Sequence, residues 1–333
     1  MATRFDPRIS VIRVCAMLSI IAGHWLSMQN INHFQFGAIG VEIFFFVSGY
    51  LYSEKKIYNV KDWMCNRWHR LIIPYWIVLG GVILLRLILG YDVTVNAALV
   101  YFLNVQGIDR IFRNLSLPVL KGMGQTWFLS VLVICYIIML VLKKKPMIEK
   151  KIREHSKLAF LCSVLCQIVL SFVGIQIIRP LCFFYGYFWN KEKLNMPMKK
   201  YSILTLLLVM LTAMRFVTHI LCDGSILYDY IVFGWSFVAL AIWLIVTAIK
   251  VLDYIPQAIS KIVSSRAWKI LDIMTYPLYL THYLFTSGEF AVIHWVNGLI
   301  GQIVVFVVLT CITAFLVLLF TDYKVVKKIV SGR

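Results

Sequence analysis

Apolar runs of about 20 residues, separated by short polar segments, follow one another along the chain. A helix of that length crosses a hydrocarbon core of roughly 30 Å and satisfies its own backbone hydrogen bonds. The pattern therefore predicts an all-α fold, a polytopic transmembrane helical bundle. Its ten spans, with edges uncertain by several residues, are predicted at approximately 10–30, 36–54, 70–90, 126–143, 157–176, 178–190, 201–220, 228–250, 268–288 and 298–322.

The segments between the predicted spans are short, apart from residues 91–125, which contain a weakly amphipathic stretch near 93–105. The sixth span is short enough for a re-entrant segment to be the alternative. The first apolar run has no signal-peptide cleavage site, so we expect it to be retained as a span. We predict one integral-membrane domain over residues 1–333, with spans over about 10–322 and no appended soluble domain.

Composition and charge support a lipid-embedded protein. Of the 333 residues, 61% are hydrophobic and 14% are charged, against roughly 25% charged in a soluble domain. The net charge of +18 does not indicate a nucleic-acid-binding protein, because the basic residues are not gathered on one soluble face. Instead, 26 of the 33 Lys and Arg residues fall in alternate connections and at the two ends. The positive-inside rule then predicts cytoplasmic termini and a multi-pass protein of the cytoplasmic membrane.

The eight cysteines fall mostly inside predicted spans, as at Cys135, Cys162 and Cys311. They form no CxxC pair and no metal-ligand spacing with histidine. We interpret them as packing residues and predict no metal site.

Ionisable residues inside a span are costly and are therefore functional candidates. The first span contains Arg13 and His24, which are 11 residues apart. At 3.6 residues per turn they share one helix face and lie about 16 Å apart along the axis. We expect Arg13 at the cytoplasmic end of the span and His24 in its outer half.

Glu42 enters the second span from the outside and is expected at a depth comparable to that of His24. A carboxylate that orients an imidazole would make His24 a general base for a hydroxyl. The alternative for Glu42 is a buried polar group that only joins two helices.

Two arginines, Arg67 and Arg70, stand at the cytoplasmic entry to the third span and share a helix face at i and i+3. Guanidinium groups bind phosphate well, so together with Arg13 they indicate a cationic mouth for a phosphorylated ligand from the cytosol. As isolated residues they would be positive-inside anchors.

In the ninth span, Pro277 is expected to open the helix near His282, which lies at the level of His24. His282 either lines one polar cavity together with His24 or is a structural histidine. Trp127 begins the fourth span at the outer interface, where it is either a ligand contact or an aromatic-belt residue.

Together, these segments resemble the membrane acyltransferase family 3, ten-span proteins that include polysaccharide O-acetyltransferases. Five motifs occur in the family's order over residues 10–290. They are Arg13-X10-His24, Gly40-Val41-Glu42-Ile43-Phe44-Phe45-Phe46-Val47-Ser48-Gly49-Tyr50, Arg67-X-X-Arg70, Trp127-Phe128-Leu129 and Tyr279-Leu280-Thr281-His282.

The resemblance implies acyl transfer from acyl-CoA, most often acetyl-CoA, to a hydroxyl of a glycan or another envelope molecule. It implies that His24 is catalytic and that Arg13, Arg67 and Arg70 contact the donor. Glu42 stands where the family often has Asp, and we assign it a catalytic role beside His24. The residues assigned to substrate binding are Ser48, Trp127, Tyr279 and His282.

Two other classes of function stay open. Intramembrane charges and a proline-interrupted span also suit a transporter or flippase, although no related halves are evident. A ligand-binding membrane module of the same fold is the other alternative. Acyl-CoA, the acceptor and the lipid bilayer are the expected partners; the sequence predicts neither the acceptor's identity nor the oligomeric state.

Overall fold

In the computed structural model, which describes residues 6–31, 38–113, 115–189, 197–222 and 233–322, the chain forms α-helices joined by short turns. The helices are α1 (Pro7–Met28), α2 (Ala38–Tyr52), α3 (Val60–Ile88), α4 (Val95–Phe102), α5 (Trp127–Lys143), α6 (Pro146–Glu154), α7 (Ser156–Ser171), α8 (Ile178–Phe188), α9 (Met198–Cys222), α10 (Phe233–Tyr254), α11 (Pro256–Ser264), α12 (Arg266–Thr281) and α13 (Leu299–Thr321).

The all-α prediction is confirmed. Over the described ranges, the only β-type pairing outside helices is an isolated bridge between Phe112 and Ile175. Each of the ten predicted spans overlaps one α-helix, and these helices are α1, α2, α3, α5, α7, α8, α9, α10, α12 and α13. Residues 36–37, 190 and 228–232 of those predicted spans lie outside the described residues.

Five helical segments of 20 to 29 residues are long and apolar enough to cross a membrane. They are Pro7–Met28, Val60–Ile88, Gly124–Lys143, Gly234–Tyr254 and Leu299–Thr321. By contrast, the 11 residues of α8 extend about 16 Å, half of the hydrocarbon core. The short helices α6 and α11 were not predicted, whereas α4 occupies the stretch expected to be amphipathic.

Local capping sets the start of the two helices that carry the arginine motifs. Asp6 caps α1 by accepting a hydrogen bond from the Arg8 amide at 3.0 Å, and Pro7 occupies the first turn. Asn59 caps α3 by accepting hydrogen bonds from the amides of Lys61 and Asp62. These caps fix the positions at which each helix enters the bundle.

Helix α2 packs against α1, α8 and α10, and its contact with α8 is a close backbone approach. A Cβ atom added at Gly49 would stand 1.9 Å from the carbonyl oxygen of Phe183. Reciprocally, a Cβ atom at Gly186 would stand 1.9 Å from the carbonyl oxygen of Phe46. The absence of side chains at these two positions therefore lets α2 and α8 touch.

Helix α12 packs against α1, α3 and α13. It ends at Thr281, and the chain continues as a 3₁₀ turn over His282–Phe285. The ninth predicted span thus consists of an α-helix and a tighter turn, with Pro277 inside the helix. This change of geometry begins at His282.

Candidate active site

A cavity of about 350 Å³ lies among α1, α2, α3, α5 and α12. Basic residues line one end, and aromatic and apolar residues line the rest. We call it the basic cavity. Its lining residues include Arg13, Ile20, Phe44, Ser48, Lys55, Arg67, Arg70, Phe128, Tyr136, Tyr276 and Tyr279. Five residues predicted from sequence are therefore brought together here: Arg13, Ser48, Arg67, Arg70 and Tyr279.

The basic end concentrates positive charge. The Arg67 guanidinium lies 5.0 Å from the centroid of the Tyr52 ring and 5.8 Å from that of Trp63, which holds it by cation–π contact. Burial, followed by repulsion from Arg67 and Arg70, lowers the pKa of Lys55. Over the described residues, no carboxylate forms an ion pair with Arg67 or Arg70. This end is therefore suited to an anion.

Arg13 lines the basic cavity and also pairs with Asp272 of α12, with 3.4 Å between Nη2 and Oδ1. Asp272 in turn lines a second cavity of about 610 Å³ between α1, α11 and α12. Sequence reasoning missed Asp272. The signal was present, because a carboxylate in the ninth span shares one helix face with Thr275, Tyr276 and Tyr279.

The rings of His24 and His282 lie beside each other, with 5.3 Å between their centroids. Tyr283 meets the His24 ring edge-on at 4.8 Å. Neither histidine lines the basic cavity, which ends at Ile20, one turn before His24, and at Tyr279. The Tyr279 ring is 5.8 Å from that of His282, so the histidine pair adjoins this end of the cavity.

His282 is fully buried, and its Nδ1 lies 3.1 Å from the carbonyl oxygen of Leu278. Its Nε2 is buried without a hydrogen-bond partner. The start of α5 is locked to the same region, since the Tyr279 hydroxyl donates to the Gln125 carbonyl and Gln125 Nε2 donates to the Leu280 carbonyl. These contacts hold the end of α12 in place around the histidine pair.

The predicted pairing of Glu42 with His24 is wrong. Glu42 is buried, and its Oε1 lies 3.6 Å from Nε of Arg179 in α8. Helix rise predicts the depth of Glu42 in the membrane, but it does not predict the rotation of α2 about its axis. The α2 residues that line the basic cavity include Val41, Phe44 and Ser48, whereas the faces that carry Glu42 and Gly49 turn to α8.

Trp127 does not line the basic cavity, although its neighbour Phe128 does. The Arg179 guanidinium lies 4.5 Å from the Trp127 ring centroid, and that of Arg110 lies 5.9 Å away. Trp127 therefore belongs with the Glu42–Arg179 pair rather than with the cavity. Arg179 and Asp272 are the two residues that complete these ion pairs and that had no assigned role in the sequence reasoning.

An all-helical bundle with several membrane-length helices and an internal basic cavity defines a multi-pass membrane protein with a buried polar site. A comparison with family models gives an acyltransferase domain match over residues 6–322, nearly the whole chain. The chain therefore belongs to acyltransferase family 3, which confirms the resemblance and identifies a membrane acyltransferase. Searches of curated proteins and of solved structures found no match.

Proposed function

We propose that this protein transfers an acetyl or other acyl group from cytosolic acyl-CoA to a hydroxyl of an extracytoplasmic acceptor. The acceptor class is a cell-surface polysaccharide or its lipid-linked precursor, and the location is the cytoplasmic membrane. The observation that carries the proposal is the basic cavity, which begins at Arg67 and Arg70 and ends next to His24. It would join an anion-binding mouth to a candidate catalytic residue.

The orientation in this proposal comes from ten spans with both termini in the cytoplasm. Ten helices coincide with predicted spans, and most Lys and Arg residues fall in the connections that this topology puts inside. The basic end of the cavity would then open to the cytosol. His24, about 16 Å from Arg13 along α1, would lie in the outer half of the membrane.

The basic end would hold the phosphates of the donor. Guanidinium groups bind phosphate in a forked geometry, and Lys55 adds a third cation beside Arg67 and Arg70. A cavity of about 350 Å³ is at the small end of ligand pockets. We therefore expect it to take the pantetheine arm and the thioester, while the nucleotide stays at the mouth. Ser48 and Tyr279 would contact that arm.

The thioester at the far end of the pantetheine arm would approach His24 through the gap between Ile20 and Tyr279. An imidazole at this place either removes the proton of the acceptor hydroxyl or accepts the acyl group itself. We assign Glu42 no part in this chemistry, because its Oε1 pairs with Arg179. Trp127 is a candidate contact for the acceptor on the outer side.

The test is acetyl-CoA binding to the purified protein in lipid nanodiscs, measured by calorimetry. Each charged hydrogen bond contributes about 1.5–3 kcal/mol, so Arg67→Ala/Arg70→Ala should weaken binding by at least about 10-fold. The matched control is Lys61→Ala, which removes an exposed cation of α3 outside the cavity lining and should leave affinity unchanged. A wild-type protein that binds no acetyl-CoA, or a double variant that binds equally well, would contradict the proposal.

A further inference from the structure

The contact between His24 and His282 puts two imidazoles at the end of the basic cavity, and the proposed reaction has so far used only one. Their ring centroids are 5.3 Å apart, with the planes tilted by 39°. His282 is fully buried, whereas His24 is partly accessible. The two rings therefore have different surroundings, which favours different roles.

Hydrogen bonding defines the tautomer of His282. Its Nδ1 lies 3.1 Å from the Leu278 carbonyl oxygen, which can only accept a hydrogen bond. Nδ1 must therefore carry the proton. In a neutral imidazole, Nε2 then carries no proton, and its lone pair can accept a hydrogen bond or a proton.

No group in the described part of the chain donates a hydrogen bond to that lone pair. The nearby hydroxyls have other acceptors, since Tyr279 donates to the Gln125 carbonyl and Thr281 donates to the Pro277 carbonyl. The remaining titratable neighbours are His24 and Tyr283, both in ring contact. A buried polar atom without a partner costs about 1–3 kcal/mol, so Nε2 is suited to accept a hydrogen bond from an O–H group such as the acceptor hydroxyl.

We propose that the two histidines divide the reaction: His24 carries the acyl group, and Nε2 of His282 receives the proton of the acceptor hydroxyl. This inference rests on the proposed acyltransferase function and assigns its two steps to two residues. The position of each residue agrees with its role. His24 lies one helical turn after Ile20, which lines the end of the cavity, and Nε2 of His282 has no hydrogen-bond partner.

In the first step, a ring nitrogen of neutral His24 attacks the thioester carbonyl. The carbon–sulfur bond breaks, CoA leaves as a thiolate, and His24 becomes an acyl-imidazolium. In the second step, the acceptor oxygen forms a bond to the acyl carbon as its proton passes to His282 Nε2. The bond from the acyl carbon to His24 breaks, which restores neutral His24, and the proton on His282 returns through solvent to the CoA thiolate.

The experiment uses purified wild-type protein and its variants with radiolabelled acetyl-CoA, and water is the only acceptor. Free CoA and label bound to protein are both measured after rapid quenching. Wild-type protein should release CoA continuously. His282→Asn retains a donor for the Leu278 carbonyl but lacks the base, so it should release one burst of CoA and remain labelled. Its steady turnover should fall by at least about 100-fold.

The label in His282→Asn should be released by hydroxylamine, as expected of an acyl-imidazole. His24→Ala should show neither burst nor label. The matched control, His294→Asn, changes an exposed histidine beyond the pair and should behave as wild type. Where His282→Asn does not fold, His282→Gln removes the same base and retains a polar group.

The two levels of the account fail differently. Steady turnover by His282→Asn at the wild-type rate, with His24→Ala inactive, would overturn the division of roles alone. Loss of turnover in His282→Asn without any protein-bound label would also overturn it. Wild-type protein that releases no CoA, not even one burst, would overturn the division of roles, whereas His24→Ala that turns over normally would overturn the proposed function itself.

Discussion

The ion pairs Arg13–Asp272 and Arg179–Glu42 are alike in geometry and unlike in surroundings. Their N–O distances are 3.4 Å and 3.6 Å, and each joins two helices. The Arg13 and Asp272 side chains are 34% and 20% exposed and adjoin cavities. Those of Arg179 and Glu42 are 24% and 8% exposed and lie beside Trp127, where α2 meets α8.

The difference teaches that the cost of a charge in a span does not by itself identify an active site. The helix face decides whether the charge meets a cavity or another helix. Arg13 faces the basic cavity, so its charge is available to a ligand. Glu42 faces α8, so its charge holds the bundle together.

The largest effect is expected at the α2–α8 contact. Gly49→Ala would put a methyl group 1.9 Å from the Phe183 carbonyl oxygen, and backbone cannot move aside cheaply. We expect little folded protein, measured as the monodisperse fraction recovered in detergent. Gly80→Ala in α3 is the matched control, because no atom lies within 4 Å of its added Cβ. Equal recovery of both variants would contradict close packing of α2 on α8.

The next prediction compares the stability lost when the carboxylate of each ion pair is removed. Glu42→Ala leaves Arg179, whose side chain is 24% exposed, without a counter-charge, which should destabilise the fold by about 3 kcal/mol. Asp272→Ala leaves the more exposed Arg13, and the loss should be about 1 kcal/mol or less. Thermal unfolding in one detergent measures both. Should Asp272→Ala prove as destabilising as Glu42→Ala, the distinction between a cavity pair and a packing pair would be lost.

A third ion pair, at the connection between α12 and α13, should have a smaller effect than the Glu42–Arg179 pair. Glu289 accepts hydrogen bonds from Arg86 Nη1 at 2.8 Å and from Lys121 Nζ at 3.1 Å. The hydrogen bond from Arg86 lowers the pKa of Glu289 from 4.5 to about 2. Because the folded pKa is the lower one, this stabilisation is present above pH 4.5 and is lost as the pH falls toward 2.

For this partly exposed group we expect about 1–2 kcal/mol, after allowance for solvent screening. The measurement is the unfolding temperature of the wild type and of Glu289→Gln between pH 6 and pH 3. The wild type should lose more stability than the variant as the pH falls. Parallel pH profiles would show that the Arg86–Glu289 bond does not contribute.

The sequence predicts the helices and the shared face of Arg67 and Arg70 because both depend on local spacing. Apolar run length gives the spans, and the separation of Arg67 from Arg70 gives a shared helix face. Helix rise also predicts the common level of His24 and His282. Long-range contacts are harder to predict from the sequence. The rotation of α2 puts Glu42 against α8, and no local pattern in the sequence indicates that rotation.

Two further features depend on tertiary contacts. Asp272, like Arg13, is an ionisable residue in a predicted span and could have been selected from the sequence for that reason. Its pairing with Arg13 becomes evident only because α12 packs against α1. The change to a 3₁₀ turn at His282 accompanies contacts of this region with the start of α5. Sequence spacing alone gives the height of His282 but not the unpartnered Nε2.

The central claim is that acyl transfer depends on His24, while the donor is bound by the basic cavity. The direct measurement compares wild type and His24→Ala for acetyl-CoA affinity and for label passed from acetyl-CoA to envelope glycan. The account predicts unchanged affinity and unfolding temperature with transfer reduced by at least about 100-fold. Transfer at the wild-type rate by a folded His24→Ala protein would contradict it.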